Sequence, residues 1–86
     1  MNRQKRIAHK LAVLKPHYLE IINDSHLHIN HSESPGLDDS HFTIKISSTE
    51  LEHKNRLQQH KMINELLKEE FSSGLHALSI KVITSN

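Results

Sequence analysis

Histidines are the residues of this sequence whose number and spacing could do chemistry. The chain has nine of them among 86 residues, and His26, His28 and His31 lie close together in one polar stretch. His76 stands alone, just before an alternating apolar run. Neutral imidazole binds zinc, copper, nickel and iron, and it replaces cysteine on one iron of Rieske-type clusters. The pattern therefore indicates a metal site, although solvated loop histidines and a packed His76 would give the same spacing.

Periodic apolar residues predict the elements that must position these histidines. Ile7, Leu11 and Leu14 recur at helical spacing, and Pro16 should end their helix. The patterns predict a helix over about 3–14, strands over 17–23, 41–46 and 77–82, a loop over 24–39, and a long helix that begins between 49 and 54 and ends near Gly74. This helix is predicted to turn five residues toward the core: Leu57, Ile63, Leu66, Leu67 and Phe71. The adjacent Glu69 and Glu70 are predicted to be solvated.

The lengths of these elements predict where the histidines meet. A helix of about 17 residues covers about 25 Å, and a seven-residue strand covers about 23 Å. The long helix can therefore return the chain so that the third strand starts beside the start of the second and runs parallel to it. This topology brings His76, His41 and the loop histidines to one rim of the sheet, with His41 in a structural role. The predicted fold class is two-layer α+β, as one domain over 1–86.

Composition limits the function. The formal net charge is +1 and there is no cysteine, so the chain cannot supply thiolate ligands and has no strongly basic field for nucleic acid. No apolar run approaches a membrane span of about 18 residues. No catalytic motif is recognisable. We expect a non-enzymatic intracellular protein, cytoplasmic or organellar and not secreted.

Three motifs resemble the BolA family: Ser40-His41-Phe42, Leu57 to Ile63, and His76-Ala77-Leu78-Ser79-Ile80. The resemblance runs from about Ile7 to Val82. It implies an αββααβ arrangement similar to a class II KH domain, with helices on one face of a three-stranded mixed sheet and a short extra turn before the last strand.

The resemblance also implies a partner and a cofactor. BolA-like proteins pair with monothiol glutaredoxins, with or without a bridging [2Fe-2S] cluster, and the glutaredoxin and glutathione supply the thiolates. The family's histidine ligand matches His76, and the second ligand matches His28, with His31 and His26 as alternates. Residues expected to contact the partner are His60, Lys61, Gly74, Leu75 and Ala77. The isolated chain is expected to bind no cluster and to be a monomer or weak homodimer.

Two other functions remain open at this point. Some BolA-like proteins are described as DNA-binding regulators, and the residues for that role would be Lys54, Arg56, Lys61 and Lys81. An Arg-His-Arg of the family is here Gln59-His60-Lys61, which removes one positive charge from that surface. Alternatively, His26, His28 and His31 alone could form a mononuclear metal site.

Overall fold

The structure, a computed structural model, describes residues 2–25 and 40–84. The elements are α1 (Arg3–Leu11), β1 (Tyr18–Asn23), β2 (His41–Ser47), α2 (Thr49–Glu52), α3 (Arg56–Leu66), α4 (Lys68–Ser72) and β3 (Ala77–Val82). This is the predicted αββααβ order with one added turn of helix, α2. The predicted loop ligands His26, His28 and His31 lie outside the described residues.

β2 is the central strand of a three-stranded sheet in the order β1-β2-β3. β1 pairs with it antiparallel and β3 pairs with it parallel. Ala77 lies opposite His41 and Val82 lies opposite Ile46. The two parallel strands therefore start at the same end of the sheet, as the length of the helical return predicts.

The helices cover one face of this sheet. Phe42, Ile44 and Ile46 of β2 point to that face and are at most 2% exposed, because side chains of a strand alternate between faces. The helical segments contribute fully buried side chains to the same core: Ile7, Leu11, Leu51, Ile63 and Leu67. Each such Leu or Ile stabilises the fold by roughly 1.5 to 3 kcal/mol relative to full exposure.

The first helix stops before Pro16, as predicted. Its α-helical part ends at Leu11 and a 3-10 turn, Ala12–Leu14, continues it. Lys15 then adopts a left-handed conformation with φ 49° and ψ 57°. Because proline disfavours the right-handed helical region for the residue before it, the chain turns here and enters β1.

The long helix differs from the prediction at its start. Thr49–Glu52 forms only a single turn, capped by the Ser48 side chain, and α3 begins at Arg56 with a capping box between Asn55 and Gln58. Leu57 is 65% exposed, so its predicted inward position is wrong. It lies six residues before the buried Ile63, which places it about 120° away around the helix.

The end of the helix also differs, since Leu67 interrupts it with φ −104° and ψ 12°. The interruption separates α4 from α3, but Glu70 still follows Ile63 and Leu67 at helical spacing. Glu70 is 2% exposed, whereas Phe71 is 37% exposed. The predictions of an inward Phe71 and a solvated Glu70 are both wrong.

Candidate functional site

His76 and His41 lie side by side at the end of the sheet where β2 and β3 begin. Their ring centroids are 6.3 Å apart and the rings are inclined at 67°. The proximity follows from register, because Ala77 is paired with His41 and His76 is the residue before it. We call this edge, formed by His41, His76, Ser25 and Ser40, the histidine rim.

Two buried serines hold the backbone of the rim by hydrogen bonds. The Ser40 carbonyl accepts hydrogen bonds from the backbone N–H groups of His76, at 2.8 Å, and Ala77, at 3.1 Å. The Ser25 hydroxyl oxygen accepts from the backbone N–H groups of Ser40, at 3.0 Å, and His41, at 3.1 Å. The backbone at His76 is therefore fixed relative to both ends of the segment that joins β1 to β2.

The His41 ring is part of the same network. The ring Nδ1 lies 2.8 Å from the Ser40 hydroxyl. The backbone carbonyl of His41 accepts a hydrogen bond from the backbone N–H of Asp24 at 2.8 Å. Asp24 in turn accepts a hydrogen bond from the Thr43 hydroxyl. The backbone of His41 is bonded across the hairpin as predicted for a structural role, while its ring bonds to its neighbour in sequence.

The His76 side chain is exposed, but the residue before it is not. Leu75 is 3% exposed and belongs to the core, and its N–H bonds to the Glu70 carbonyl at 2.9 Å, the hydrogen bond that closes a Schellman-type helix end. Gly74 between them has φ +128°. The Leu75 side chain, one of the predicted partner contacts, is thus buried in the core and anchors the turn that leaves His76 exposed.

Arg3 holds this turn from the other end of the chain. Its Nη1 donates to the Glu70 carbonyl and carboxylate and to the Ser73 hydroxyl, and its Nη2 donates to the Ser73 carbonyl at 3.0 Å. A Cβ added at Gly74 would stand 3.0 Å from Nη2. Arg3 Nε is buried without a hydrogen-bond partner among the described residues. The guanidinium therefore fixes the backbone three and six residues before His76.

Glu70 forms ion pairs with three cations that gather at this turn. Its carboxylate lies 2.9 Å from Arg3, 3.1 Å from Arg6 and 2.7 Å from Lys10. Burial raises the pKa of the Glu70 carboxyl, but hydrogen bonds from Arg6 and Lys10, with their charges, outweigh it and hold the pKa below its ordinary value. The carboxylate is thus ionised at neutral pH.

Sequence reasoning missed Arg3 and Glu70 because charged side chains are expected outside. A positional signal existed. Arg3 lies one and two helical turns before Ile7 and Leu11, and Glu70 follows Ile63 and Leu67 at helical spacing. Opposite charges at the inward positions of two helices are a pattern that could have identified a buried pair.

The residues predicted to bind a partner fall on two surfaces. Gly74 and Ala77 flank His76 at the rim. His60 lies beside Ile80 to Ile83 on β3, which at about 3.3 Å per residue is roughly 13 to 23 Å from His76 along the strand. Lys61, the next residue on α3, is exposed. His60 is therefore too far along the strand to be a ligand at the rim.

The residues predicted for nucleic acid are also divided. Arg56 and Lys81 line one depression of about 460 Å³ between α3 and β3, with Gln59 and His60. Lys54 is half-buried in the turn before α3, and Lys61 is exposed. The structure thus brings together two of the four predicted basic residues in one depression.

At the rim, the described residues supply two candidate metal ligands, His41 and His76. Within residues 2–25 and 40–84 no cluster of three or more histidine, cysteine or acidic side chains could hold a metal ion. Any ion or cluster at the rim would need ligands beyond His41 and His76.

The longest helix in residues 2–25 and 40–84 has 11 residues, so none of the helices described there could span a bilayer.

The fold and the rim define a class of protein: a small KH-like αββααβ domain whose last strand begins at an exposed histidine. The family model for BolA-like proteins matches residues 11–86. The chain belongs to the BolA-like family.

Solved structures and a named relative agree with this assignment. The structure of BolA1 from Arabidopsis thaliana matches with a TM-score of 0.87 and 39% identity, over 98% of this chain and 93% of that one. The BolA domain of SufE1 from the same plant matches with a TM-score of 0.84 and 38% identity, over 98% and 93%. The DNA-binding transcriptional regulator BolA of Haemophilus influenzae is 37% identical over 70 residues, which are 81% of this chain and 64% of that protein.

Proposed function

We propose that this chain is a non-enzymatic adaptor that pairs with a monothiol glutaredoxin to bind or traffic a [2Fe-2S] cluster in iron homeostasis. His76 would be the fixed ligand and His28 the second one, with His31 or His26 as alternates. The single observation that carries the proposal is an exposed His76 on the rim where the segment containing those three histidines begins and ends.

The chemistry of the available donors fits a shared cluster. The chain has no cysteine, so it offers imidazole nitrogen and no thiolate. Two histidines on one iron are found in Rieske-type centres. A partner that brings thiolates, such as glutaredoxin with glutathione, would complete the coordination that this chain starts.

The fixed surroundings of His76 support a ligand role. Ligand histidines are usually oriented by neighbouring hydrogen bonds, and losing such support weakens metal sites. Here the backbone of His76 is bonded to Ser40, and Arg3 holds the turn that precedes it. The backbone that carries the ring is therefore already fixed before a cluster arrives.

Cluster reconstitution tests the ligand assignment. The chain, a monothiol glutaredoxin, glutathione, iron and sulfide are combined, and visible absorption and circular dichroism are recorded. We expect His76→Ala to alter or abolish the spectrum of the mixed complex. His53→Ala is the matched control, because His53 is exposed and follows α2 at the opposite end of β2. An unchanged spectrum for His76→Ala would refute the assignment.

The second ligand is identified by single alanine variants of His26, His28 and His31. We expect His28→Ala to change the spectrum most. If all three single variants keep the parental spectrum while the triple variant loses it, the histidines substitute for one another. If the triple variant also keeps it, the second ligand does not come from this segment.

DNA binding is a second candidate function, favoured by one observation. Arg56 and Lys81 share a depression, and a relative is named as a DNA-binding regulator. Phosphate contacts make log K fall with log salt by about 0.9 for each phosphate neutralised on duplex DNA. The Arg56→Ala/Lys81→Ala variant should therefore reduce the slope by about 2, whereas Lys5→Ala, an exposed residue of α1, should not. Equal slopes for the parent protein and both variants would exclude this surface as a DNA-binding site.

A further inference from the structure

The depression between α3 and β3 runs along the free edge of the sheet. It is lined by four consecutive residues of the last strand and its continuation, Ile80 to Ile83. Since alternate side chains of a strand point to opposite faces, a depression that touches all four lies along the strand's edge. Arg56, Gln59 and His60 of α3 form the other wall. We call this the β3 edge groove.

The backbone on this edge has open hydrogen-bonding positions. The N–H groups of Ala77 and Ile83 bond inward to Ser40 and Ile46 of the β2 side. Backbone groups alternate sides along a strand, so Leu78, Ile80 and Val82 direct their N–H and C=O groups outward. β3 is a terminal strand of the sheet and pairs only with β2 within the described residues.

The side chains of the groove are apolar below and basic at the sides. Ile80 and Val82 pack against the core, and Ile83 is 41% exposed. Arg56 and Lys81 contribute positive charge, and neither makes an ion pair within the described part of the chain. No acidic side chain is among the described residues that line the groove.

We propose that the β3 edge groove binds an extended acidic peptide segment of a partner protein, which adds as a fourth strand beside β3. An exposed sheet edge offers the alternating donors and acceptors that an extended peptide backbone pairs with, and side-chain pockets then give specificity. Leu78, Ile80 and Val82 provide three outward positions, enough for a segment of about five residues. Arg56 and Lys81 would pair with its acidic side chains.

Two other occupants fit less well. A second copy of the chain at this edge would set the same two cations against each other, and lysine on an edge strand discourages such pairing. Nucleic acid could use the cations, but it has no backbone that pairs in register with the row of donors and acceptors along a strand. A net charge of +1 also gives little general attraction. The residues that line the groove begin roughly 13 Å from His76 along β3. Leu78, the outward position nearest to the rim, lies about 7 Å from His76.

The test uses the full chain labelled with ¹⁵N and the peptide acetyl-Glu-Val-Glu-Val-Glu-amide as the probe. We expect saturable amide shifts at Leu78, Ile80 and Val82 and in the first turns of α3. The Arg56→Glu/Lys81→Glu variant should weaken binding at least about tenfold, because it reverses both charges opposite the peptide. Lys5→Glu is the control with an equal charge change per residue on a distant helix, and it should leave the affinity unchanged.

Matched probes separate the remaining outcomes. A peptide with lysine in place of glutamate, or with proline at its centre, should not bind, since the first loses charge pairing and the second loses a backbone donor. Equal binding of the lysine peptide, or no shift with the glutamate peptide at millimolar concentration, would overturn the proposal. Stronger shifts at the same residues with single-stranded oligothymidylate would also overturn it and would identify nucleic acid as the occupant. Shifts that depend on protein concentration in the absence of peptide would overturn it as well and would identify a second copy of the chain.

Discussion

Replacing Glu70 by glutamine should destabilise the fold far more than the same replacement at Glu69. The two residues are adjacent on α4, yet the side chain of Glu70 is 3% exposed and that of Glu69 is 82% exposed. Glu70 contacts three cations at 2.9, 3.1 and 2.7 Å, whereas Glu69 contacts only Lys10, at 3.6 Å, within the described residues. The pair is thus a matched comparison of a buried and a surface carboxylate.

The expected magnitude follows from these contacts. Removing one partner of a buried ion pair costs about 3 to 5 kcal/mol, because the other charge stays buried without compensation. Arg6 and Lys10 are 39% and 24% exposed, so water recovers part of this loss, and we expect about 3 kcal/mol for Glu70→Gln. In a domain of this size that lowers Tm by about 12 to 24 °C. Glu69→Gln should change stability by less than about 0.5 kcal/mol.

Urea unfolding at neutral pH, followed by far-ultraviolet circular dichroism, measures both variants. Equal stabilities for Glu69→Gln and Glu70→Gln, or a cost below about 1 kcal/mol for Glu70→Gln, would refute the buried cluster. A change in the m-value instead of the midpoint would mean that the compactness of the native or denatured state had changed, or that the variant no longer unfolds in two states.

The pH dependence gives an independent check. Because the pKa of Glu70 is lower in the folded protein than its ordinary value of 4.5, its contribution is fully present above pH 4.5 and is lost as the pH falls through the lowered pKa. The parent chain should therefore lose stability on acidification below pH 4.5 more steeply than Glu70→Gln, which has no carboxyl to protonate there.

Three further predictions concern the core and the rim. Gly74→Ala should lower the free energy of unfolding by about 1 to 3 kcal/mol, because φ is +128° and the new Cβ would meet Arg3 Nη2. Thermal unfolding measures this loss, and an unchanged Tm would contradict it. Ile63→Ala should cost about 2 to 5 kcal/mol and Leu57→Ala less than about 0.5 kcal/mol, which urea unfolding of the two variants compares directly. Ser25→Ala should lower the free energy of unfolding by about 1 to 3 kcal/mol, because two backbone N–H groups lose their acceptor. Hydrogen exchange at the Ser40 amide should also accelerate. Unchanged protection of that amide would show that water replaces the hydroxyl.

Much of the sheet could be predicted because its pattern is local. Phe42, Ile44 and Ile46 alternate with polar residues, and their inward face is confirmed. The parallel arrangement of β2 and β3 followed from the helix length alone. The meeting of His41 and His76 at one rim then required no further information, and it is observed at 6.3 Å.

The errors arise where a tertiary contact overrides a local rule. Arg3 and Glu70 are polar residues that belong inside only because they meet each other across 67 positions of sequence. The interruption of the helix at Leu67 is marked by no proline or glycine. Leu51 lies in a polar connection yet is fully buried, since a single turn of helix, α2, carries it onto the core.

The role of His76 as a ligand is tested most directly by pulsed electron paramagnetic resonance of the reduced cluster, in the complex with a monothiol glutaredoxin, with ¹⁵N-histidine in this chain alone. We predict hyperfine coupling from two of this chain's imidazole nitrogens, and we predict that His76→Ala removes one of them. A cluster that shows no ¹⁵N coupling from this chain, or the same coupling after His76→Ala, would contradict the proposed function.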